Sequence, residues 1–174
     1  MKGYENTWRD FERNSVSHSV AHYLLAISGF EVEACKPRAA DIARKLGVSR
    51  NAVSLKLNTL KSGGFIEVDE VQRITLTKIG KKISKRIASK RYTMNVFLAE
   101  VLGVPEETAE SDACKIEHLI SDTTGDALSK FVSFLRSDSK VVLAFLREFQ
   151  EHYVGCNPKV GCGLCDNIEK MSLH

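Results

Sequence analysis

The chain has 174 residues, of which 43% are hydrophobic and 27% are charged, and its formal net charge is +3. This composition is typical of a globular protein and excludes a largely disordered chain. No apolar run approaches the roughly 20 residues that cross a bilayer, so we expect no membrane partner. Residues 1–15 lack the apolar core of a signal peptide, and the five cysteines are an odd number. Both features indicate reduced thiols in the cytoplasm.

The small net charge hides an uneven distribution. Residues 1–90 contain 17 Lys and Arg against 9 Asp and Glu, whereas residues 91–174 contain 8 against 13. A basic front half joined to an acidic rear half indicates that the front half meets a polyanion such as DNA.

Helical periodicity and glycines divide the first 47 residues. Apolar residues at helical spacing over 16–27 predict a first helix that stops at Gly29. Pro37 opens a short helix over 38–46, and Gly47 ends it.

A third helix and a hairpin follow. Ser49 is a preferred N-cap, and the helix after it turns Val53, Leu57 and Leu60 inward. The periodicity then changes to two, which predicts strands around Ile66 and Ile74 that are joined by a loop over 69–72. Helix, three-residue turn, helix and hairpin is the order of a winged helix-turn-helix.

The remaining sequence is helical up to a short tail. The spacing of apolar residues predicts four helices, over 78–102, 105–121, 124–137 and 139–152. The organisation we predict is a winged DNA-binding domain over 1–77, a helical domain over 78–152 and a cysteine-rich tail over 153–174.

The third helix carries the predicted contacts to double-stranded DNA. A helix N-terminus capped by Ser49 suits a phosphate. Asn51 can pair with adenine, and Arg50 can pair with guanine or with a phosphate. The full set of predicted DNA-binding residues is Ser49, Arg50, Asn51, Ala52, Ser54, Leu55, Lys56 and, in the hairpin, Arg73. Leu55 suits a protein contact equally well, and a non-DNA adaptor is one alternative.

A candidate metal site lies in the helix over 105–121. Cys114, Glu117 and His118 are spaced i, i+3 and i+4, which places them on one helix face within reach of one ion. Thiolate, carboxylate and imidazole together suit a divalent metal such as Fe²⁺, Mn²⁺ or Zn²⁺, and the mixture favours Fe²⁺ over Mn²⁺. A buried cysteine beside a surface Glu–His pair is the alternative.

Four stretches resemble the metal-dependent repressors of the diphtheria-toxin-repressor and manganese-transport-regulator type. They are residues 41–49 (DIARKLGVS), 74–80 (ITLTKIG), 97–103 (FLAEVLG) and 113–122 (ACKIEHLISD). The resemblance implies a mainly α fold, with an N-terminal winged helix-turn-helix followed by a helical metal-binding and dimerisation domain. It also implies a homodimer that binds operator DNA when a divalent metal is bound.

The same resemblance assigns a ligand in the first helix and raises doubt about a second ion. The family's ligand from that helix corresponds to His22, and His18, one turn earlier, faces the same side and is a candidate to add or substitute. The second-site positions of the family correspond to Arg91, Asn95 and Glu110. Arg91 cannot ligate a metal because it stays protonated, so we expect one metal site or an altered one, with Arg91 as a fixed cation.

The tail contains a separate cysteine cluster, outside the pattern of the family. Cys156, Cys162 and Cys165, with His152 four residues before the first, are spaced as ligands of Zn²⁺ or of an Fe–S cluster. The fourth ligand stays open among His152, Cys35, Asp166 and a partner chain.

These features predict a metal-responsive repressor of metal uptake or homeostasis genes, with no catalytic residues. One alternative is a winged-helix regulator that senses redox or Fe–S status through the tail. A CxxC oxidoreductase is disfavoured because no βαβ pattern accompanies Cys162 and Cys165.

Overall fold

A computed structural model describes residues 16–137 and 139–151 of the chain. The elements in chain order are α1 (His18–Val32), α2 (Ala39–Leu46), α3 (Arg50–Ser62), β1 (Ile66–Val68), β2 (Ile74–Leu76), α4 (Lys78–Val96), α5 (Glu106–Ile116), α6 (Asp122–Leu135) and α7 (Lys140–Glu151). The predicted winged helix-turn-helix is present, and the helices that follow it complete the mainly α fold.

Helix α1 is longer than the sequence predicts. The sequence predicts that the helix stops at Gly29, but it continues to Val32. The extra turn brings Glu31 to the hairpin, where its carboxylate accepts a hydrogen bond from Leu76 N at 2.9 Å and pairs with Lys81 at 3.1 Å. These tertiary contacts outweigh the weak helix propensity of glycine.

The turn between α2 and α3 follows the sequence signals closely. Gly47 adopts a left-handed conformation, with φ of +66°, and ends α2. The Ser49 hydroxyl accepts a hydrogen bond from Ala52 N at 3.2 Å and thereby caps α3. This short connection sets the angle between α2 and α3.

The hairpin closes the winged domain. Its two strands pair antiparallel with Ile66 opposite Leu76, and both side chains enter one apolar core with residues of α1, α2, α3 and α4. The fully buried members of that core include Leu24, Ile27, Ile42, Val53 and Leu60. Gly80 in the first turn of α4 is required by close packing, because a Cβ there would lie 2.0 Å from the carbonyl oxygen of Phe65.

The predicted helix over 78–102 forms with a change in its last turn. After Val96 the chain widens into a π-helical segment, Phe97–Val101, in which Leu102 N donates to Phe97 O. The apolar residues of this segment fit both kinds of turn, so periodicity alone did not distinguish them. The next three helices also differ from their predicted bounds, since α5 ends five residues early at Ile116, and α6 and α7 span Asp122–Leu135 and Lys140–Glu151.

The chain divides into two compact units, Met1–Ser133 and Phe134–His174. In the described part of the second unit, Leu135 and Val142 are buried, whereas Phe134, Val141 and Phe145 are exposed. No helix among the described residues is long and apolar enough to cross a membrane. The tail residues His152, Cys156, Cys162 and Cys165 lie outside the described residues.

Candidate metal centre and DNA-binding surface

Three side chains that could ligate a metal meet where α1 faces α5. His18 and His22 lie one turn apart on α1, with their Nε2 atoms 3.1 Å from each other. The Nε2 atom of His22 lies 3.2 Å from Sγ of Cys114 on α5. Donor atoms of these three residues all lie within 4.8 Å of one another. The predicted pair His22 and Cys114 is therefore in direct contact, and His18 joins it.

Glu117 and His118 lie at the end of α5 rather than within it. The helix ends at Ile116, Glu117 is its C-cap, and His118 belongs to the turn toward α6. The ring centroid of His118 lies 4.9 Å from that of His18. Within the described residues, the carboxylate of Glu117 is not part of the three-donor group.

The carboxyl group of Glu117 is in an unusual environment. Its side chain is completely buried, and both oxygens lack a hydrogen-bond partner among the described residues. The guanidinium of Arg91 lies beside it, with Nε 3.8 Å from Oε2. Burial raises the pKa of Glu117 to about 7, and Arg91 opposes the shift.

Burial also shifts the pKa values of the neighbouring donors toward their neutral forms. The pKa values of His22 and His118 are lowered, chiefly by burial and secondly by the charge of His18. Burial raises the pKa of the Cys114 thiol, and Arg91 acts in the opposite direction. Neutral imidazoles are ready to ligate, whereas the thiol must release its proton to a metal.

Arg91 occupies the position where the family resemblance places a second ion. Its guanidinium lies between two carboxylates, 3.4 Å from Glu110 Oε1 and 3.8 Å from Glu117 Oε2. Asn95, one turn along α4, has a buried Oδ1 without a hydrogen-bond partner in the described part of the chain. The geometry agrees with a fixed cation at this point of the site.

The donor chemistry fits a divalent transition metal. Two imidazoles and a thiol with preassembled donor atoms are ligands that Zn²⁺, Co²⁺ and Fe²⁺ accept. The residues that would hold the ion are His18 and His22 on α1, Cys114 on α5, and Glu117 and His118 at the end of α5. A bound ion would supply a cross-link between these two helices.

The predicted reading face of α3 is open to solvent. Arg50, Asn51, Ala52, Ser54 and Leu55 are exposed, and Lys56 is half-buried. Leu55 is 72% exposed, although Val53 and Leu60 on the opposite face are fully buried. This helix therefore presents a polar and basic surface beside the hairpin.

The side chain of Arg73 is engaged within the protein. The sequence predicts that it contacts DNA from the hairpin, which stays a prediction, and in this structure its Nη1 donates a hydrogen bond to Lys36 O at 2.8 Å. Ile74 N donates to Pro37 O at 2.9 Å beside it. In this structure Arg73 ties the hairpin to the segment before α2, because a guanidinium can serve a nearby carbonyl as well as a phosphate.

Sequence reasoning assigned no role to one charged cluster. Asp122 at the start of α6 pairs with Arg86 and, at 2.8 Å, with Lys90 on α4, and Lys90 also donates to Ile120 O. The spacing of Arg86 and Lys90 by one turn was the available signal. The cluster fixes the turn that carries His118.

Comparisons with known proteins agree with this architecture. The family model described as iron dependent repressor, metal binding and dimerisation domain matches residues 77–141. The HTH-type transcriptional regulator MJ0568 of Methanocaldococcus jannaschii is 34% identical over 118 residues, which cover 67% of this chain and 94% of the relative. The transcriptional regulator MntR of Salmonella typhimurium is 36% identical over 109 residues, which cover 63% of this chain and 69% of the relative.

A solved structure agrees as well. The manganese regulator SloR matches with a TM-score of 0.60 and 27% identity over 66% of this chain. The match covers 53% of SloR, so the chain spans about half the length of that protein.

A winged helix-turn-helix joined to a metal-binding and dimerisation domain defines a metal-dependent transcriptional regulator. The chain belongs to the family of the diphtheria-toxin repressor and the manganese-transport regulator, as its sequence signatures predicted. The relatives give no support to the alternative of a regulator that senses Fe–S status through the tail.

Proposed function

We propose that the protein is a homodimeric, metal-dependent repressor that acts in the cytoplasm on the operators of metal uptake or homeostasis genes. The observation that carries the proposal is the 3.2 Å contact between His22 on α1 and Cys114 on α5. Helix α1 belongs to the core of the winged domain, and α5 lies in the segment that matches the metal-binding and dimerisation domain. The effector is a divalent transition metal, and the Cys–Glu–His signature favours Fe²⁺.

The mechanism follows from how α1 is held. Its buried residues pack with α3 in one core, so α1 and the reading helix move together. A dimer reads a palindromic site only when its two reading helices lie about one helical turn of DNA apart. Metal binding favours DNA binding if the state with α1 joined to α5 has that spacing.

The DNA contacts we propose are divided by chemistry. Asn51 and Arg50 read base edges, Leu55 and Ala52 touch thymine methyl groups, and Ser49, Ser54 and Lys56 contact phosphates. Exposure of the reading face of α3 supports this division. We place the dimer contact on the apolar helices from Met94 to Leu146, where Leu119 and Phe131 are exposed apolar residues.

Binding to labelled duplex DNA, followed by fluorescence anisotropy with metal or with chelator, tests this function. The duplexes are drawn from the upstream regions of metal-transport genes. We expect the metal to tighten binding at least about tenfold, which is the usual size of an allosteric coupling. His22→Ala and Cys114→Ser should lose that gain, whereas the neighbouring control Ser19→Ala should keep it.

Salt dependence separates DNA recognition from an adaptor role. For a specific complex, the logarithm of the binding constant falls linearly with the logarithm of salt concentration, and Lys56→Ala should reduce that slope by about 1. Equal DNA affinity with metal and with chelator would contradict the proposal.

A further inference from the structure

We propose that Lys90 of α4 is a positioning residue for metal binding. Together with Arg86, it holds the turn over 117–121 in place. That turn carries the candidate donors Glu117 and His118. The inference rests on the proposed function, because it concerns how tightly the effector metal of that function is bound.

The turn over 117–121 has few hydrogen bonds of its own. Helix α5 ends at Ile116, and α6 starts at Asp122. Leu119 N donates to Ile116 O at 2.8 Å, but Ile120 N reaches the same oxygen only at 3.4 Å. Backbone outside a helix keeps conformational freedom, and a bound metal has to offset the loss of that freedom. The metal affinity therefore depends on which contacts order the turn in advance.

Lys90 makes such a contact at the far end of the turn. Its Nζ donates to Ile120 O at 2.9 Å and lies 2.8 Å from Asp122 Oδ1. Arg86, one turn earlier on α4, pairs with Oδ2 of the same carboxylate. The hydrogen bond from Lys90 holds the pKa of Asp122 below its usual value, so the pair is charged at neutral pH. Two cations of α4 thus fix the end of the turn.

The packing around Lys90 leaves room for its long side chain. This side chain is only 15% exposed, and it lies against α6 at the buried Gly125. A Cβ at position 125 would lie 3.0 Å from Cγ of Lys90 and 3.2 Å from its Cε. The glycine therefore keeps open the path by which the ammonium group reaches the turn. An ion pair that is partly buried is screened less by salt than one on the surface.

Lys90 acts on the metal site in two opposite ways. One pocket is lined by Lys82, Arg86 and Lys90 and also by Glu117 and His118. A positive charge in this pocket repels a metal ion, whereas an anchored turn presents its donors in advance and strengthens binding. The anchoring outweighs the repulsion, because the charge of Lys90 is already compensated by Asp122.

Co²⁺ binding to the full chain tests the direction of this effect. The thiols of the tail cluster are replaced by serine throughout, so that the site between α1 and α5 is observed, and a chromophoric chelator competes for the Co²⁺. In Lys90→Met, a side chain of similar length has no charge. The affinity should fall by about 10–100-fold, the range for loss of a group that orients metal ligands. Repulsion alone predicts tighter binding instead.

Three further variants control the result. Lys82→Met removes the same charge from the same helix and the same pocket, and its affinity should be unchanged or rise by up to about threefold. Asp122→Asn removes the anchor from the other side and should weaken binding by about 10-fold. Lys90→Arg keeps the charge and the hydrogen-bond donors, so its affinity should stay within about threefold of wild type.

Urea unfolding in chelator separates positioning from stability. Lower stability of Lys90→Met with unchanged Co²⁺ affinity would mean that the residue serves only the fold, and would overturn the inference. Tighter binding in Lys90→Met would overturn it as well. If Lys90→Met does not fold, Asp122→Asn decides the question by the same two measurements.

The failure of this inference differs from a failure of the proposed function. If the variants bind Co²⁺ as wild type does, while metal still tightens DNA binding by the wild-type chain, only the role of Lys90 is wrong. A wild-type chain that binds no Co²⁺ and has equal DNA affinity with metal and with chelator overturns both proposals.

Discussion

The two faces of α1 contact very different surroundings. On one face, Leu24 and Ile27 are completely buried in the apolar core of the winged domain. On the other, His18 and His22 approach Cys114 of α5 through nitrogen and sulfur atoms. The first contact requires no ligand and no particular protonation state, because apolar burial depends little on either. The second depends on what charge or metal is present.

The contacts of the two faces of α1 differ in the free energy that they contribute. Complete burial of one leucine side chain contributes about 1.5–3 kcal/mol, whereas a single neutral hydrogen bond contributes about 0.5–1.5 kcal/mol. An ion at 100 times its dissociation constant would add about 2.7 kcal/mol. Helix α1 is therefore a permanent part of the winged domain and a conditional partner of α5.

The largest predicted effect concerns the apolar face. Leu24→Ala should lower the free energy of unfolding by about 3 kcal/mol, because it removes a fully buried side chain and leaves a cavity. The loss should be equal with metal and with chelator, as measured by urea unfolding. The control Val32→Ala, at a position 86% exposed in the same helix, should change stability by less than about 0.5 kcal/mol. If the loss of stability in Leu24→Ala differed between metal and chelator, the apolar face would not be independent of the metal, which would contradict this prediction.

Sequence patterns predicted the apolar face well. The periodicity of Val20, Leu24 and Ile27, the caps at Gly47 and Ser49, and the alternation in the hairpin are local signals with one dominant interpretation. The extension of α1 past Gly29 could not be read locally, because it depends on Glu31 meeting Leu76 and Lys81 far along the chain.

The polar face was predicted less completely. Spacing identified Cys114, Glu117 and His118, and resemblance added His22, but neither could show that α5 ends at Ile116. Nor could they show that Glu117 is buried beside Arg91 while His18 lies among the donors. Such details depend on side-chain packing between helices, which a single sequence does not encode in any periodicity.

The next effect concerns the buried carboxyl group. The pKa of Glu117 is about 7 in the folded chain and 4.5 for an unperturbed group, so the folded state holds its proton over that interval. Its contribution to stability therefore falls as pH rises from about 4.5 to 7, by up to about 3 kcal/mol. Glu117→Gln should remove this loss, so that in chelator the variant becomes progressively more stable than wild type between pH 5 and pH 8.

Other groups around Glu117 titrate in part of the same range. His22 and His118, with lowered pKa values, act in the opposite direction. These groups are present in both proteins, so the difference between variant and wild type isolates Glu117. Thermal unfolding at five pH values measures it, and a difference that is constant with pH would contradict the assignment.

The smallest predicted effects on stability concern the N-caps of the reading helix α3 and of α1. Ser49 accepts from Ala52 N at 3.2 Å on the reading helix, and Ser17 accepts from Val20 N at 3.4 Å at the start of α1. We expect Ser49→Ala to cost about 1 kcal/mol and Ser17→Ala about 0.5 kcal/mol, because the longer bond is weaker.

The caps should differ more in their effect on the metal than on stability. Ser17 fixes the turn that carries His18, so Ser17→Ala should reduce the stabilisation that added Zn²⁺ provides, whereas Ser49→Ala should leave that stabilisation unchanged. Unfolding of each variant with and without Zn²⁺ measures both quantities. Equal metal stabilisation in the two variants would mean that the position of His18 does not depend on the cap. The polar face of α1 would then be held by α5 alone.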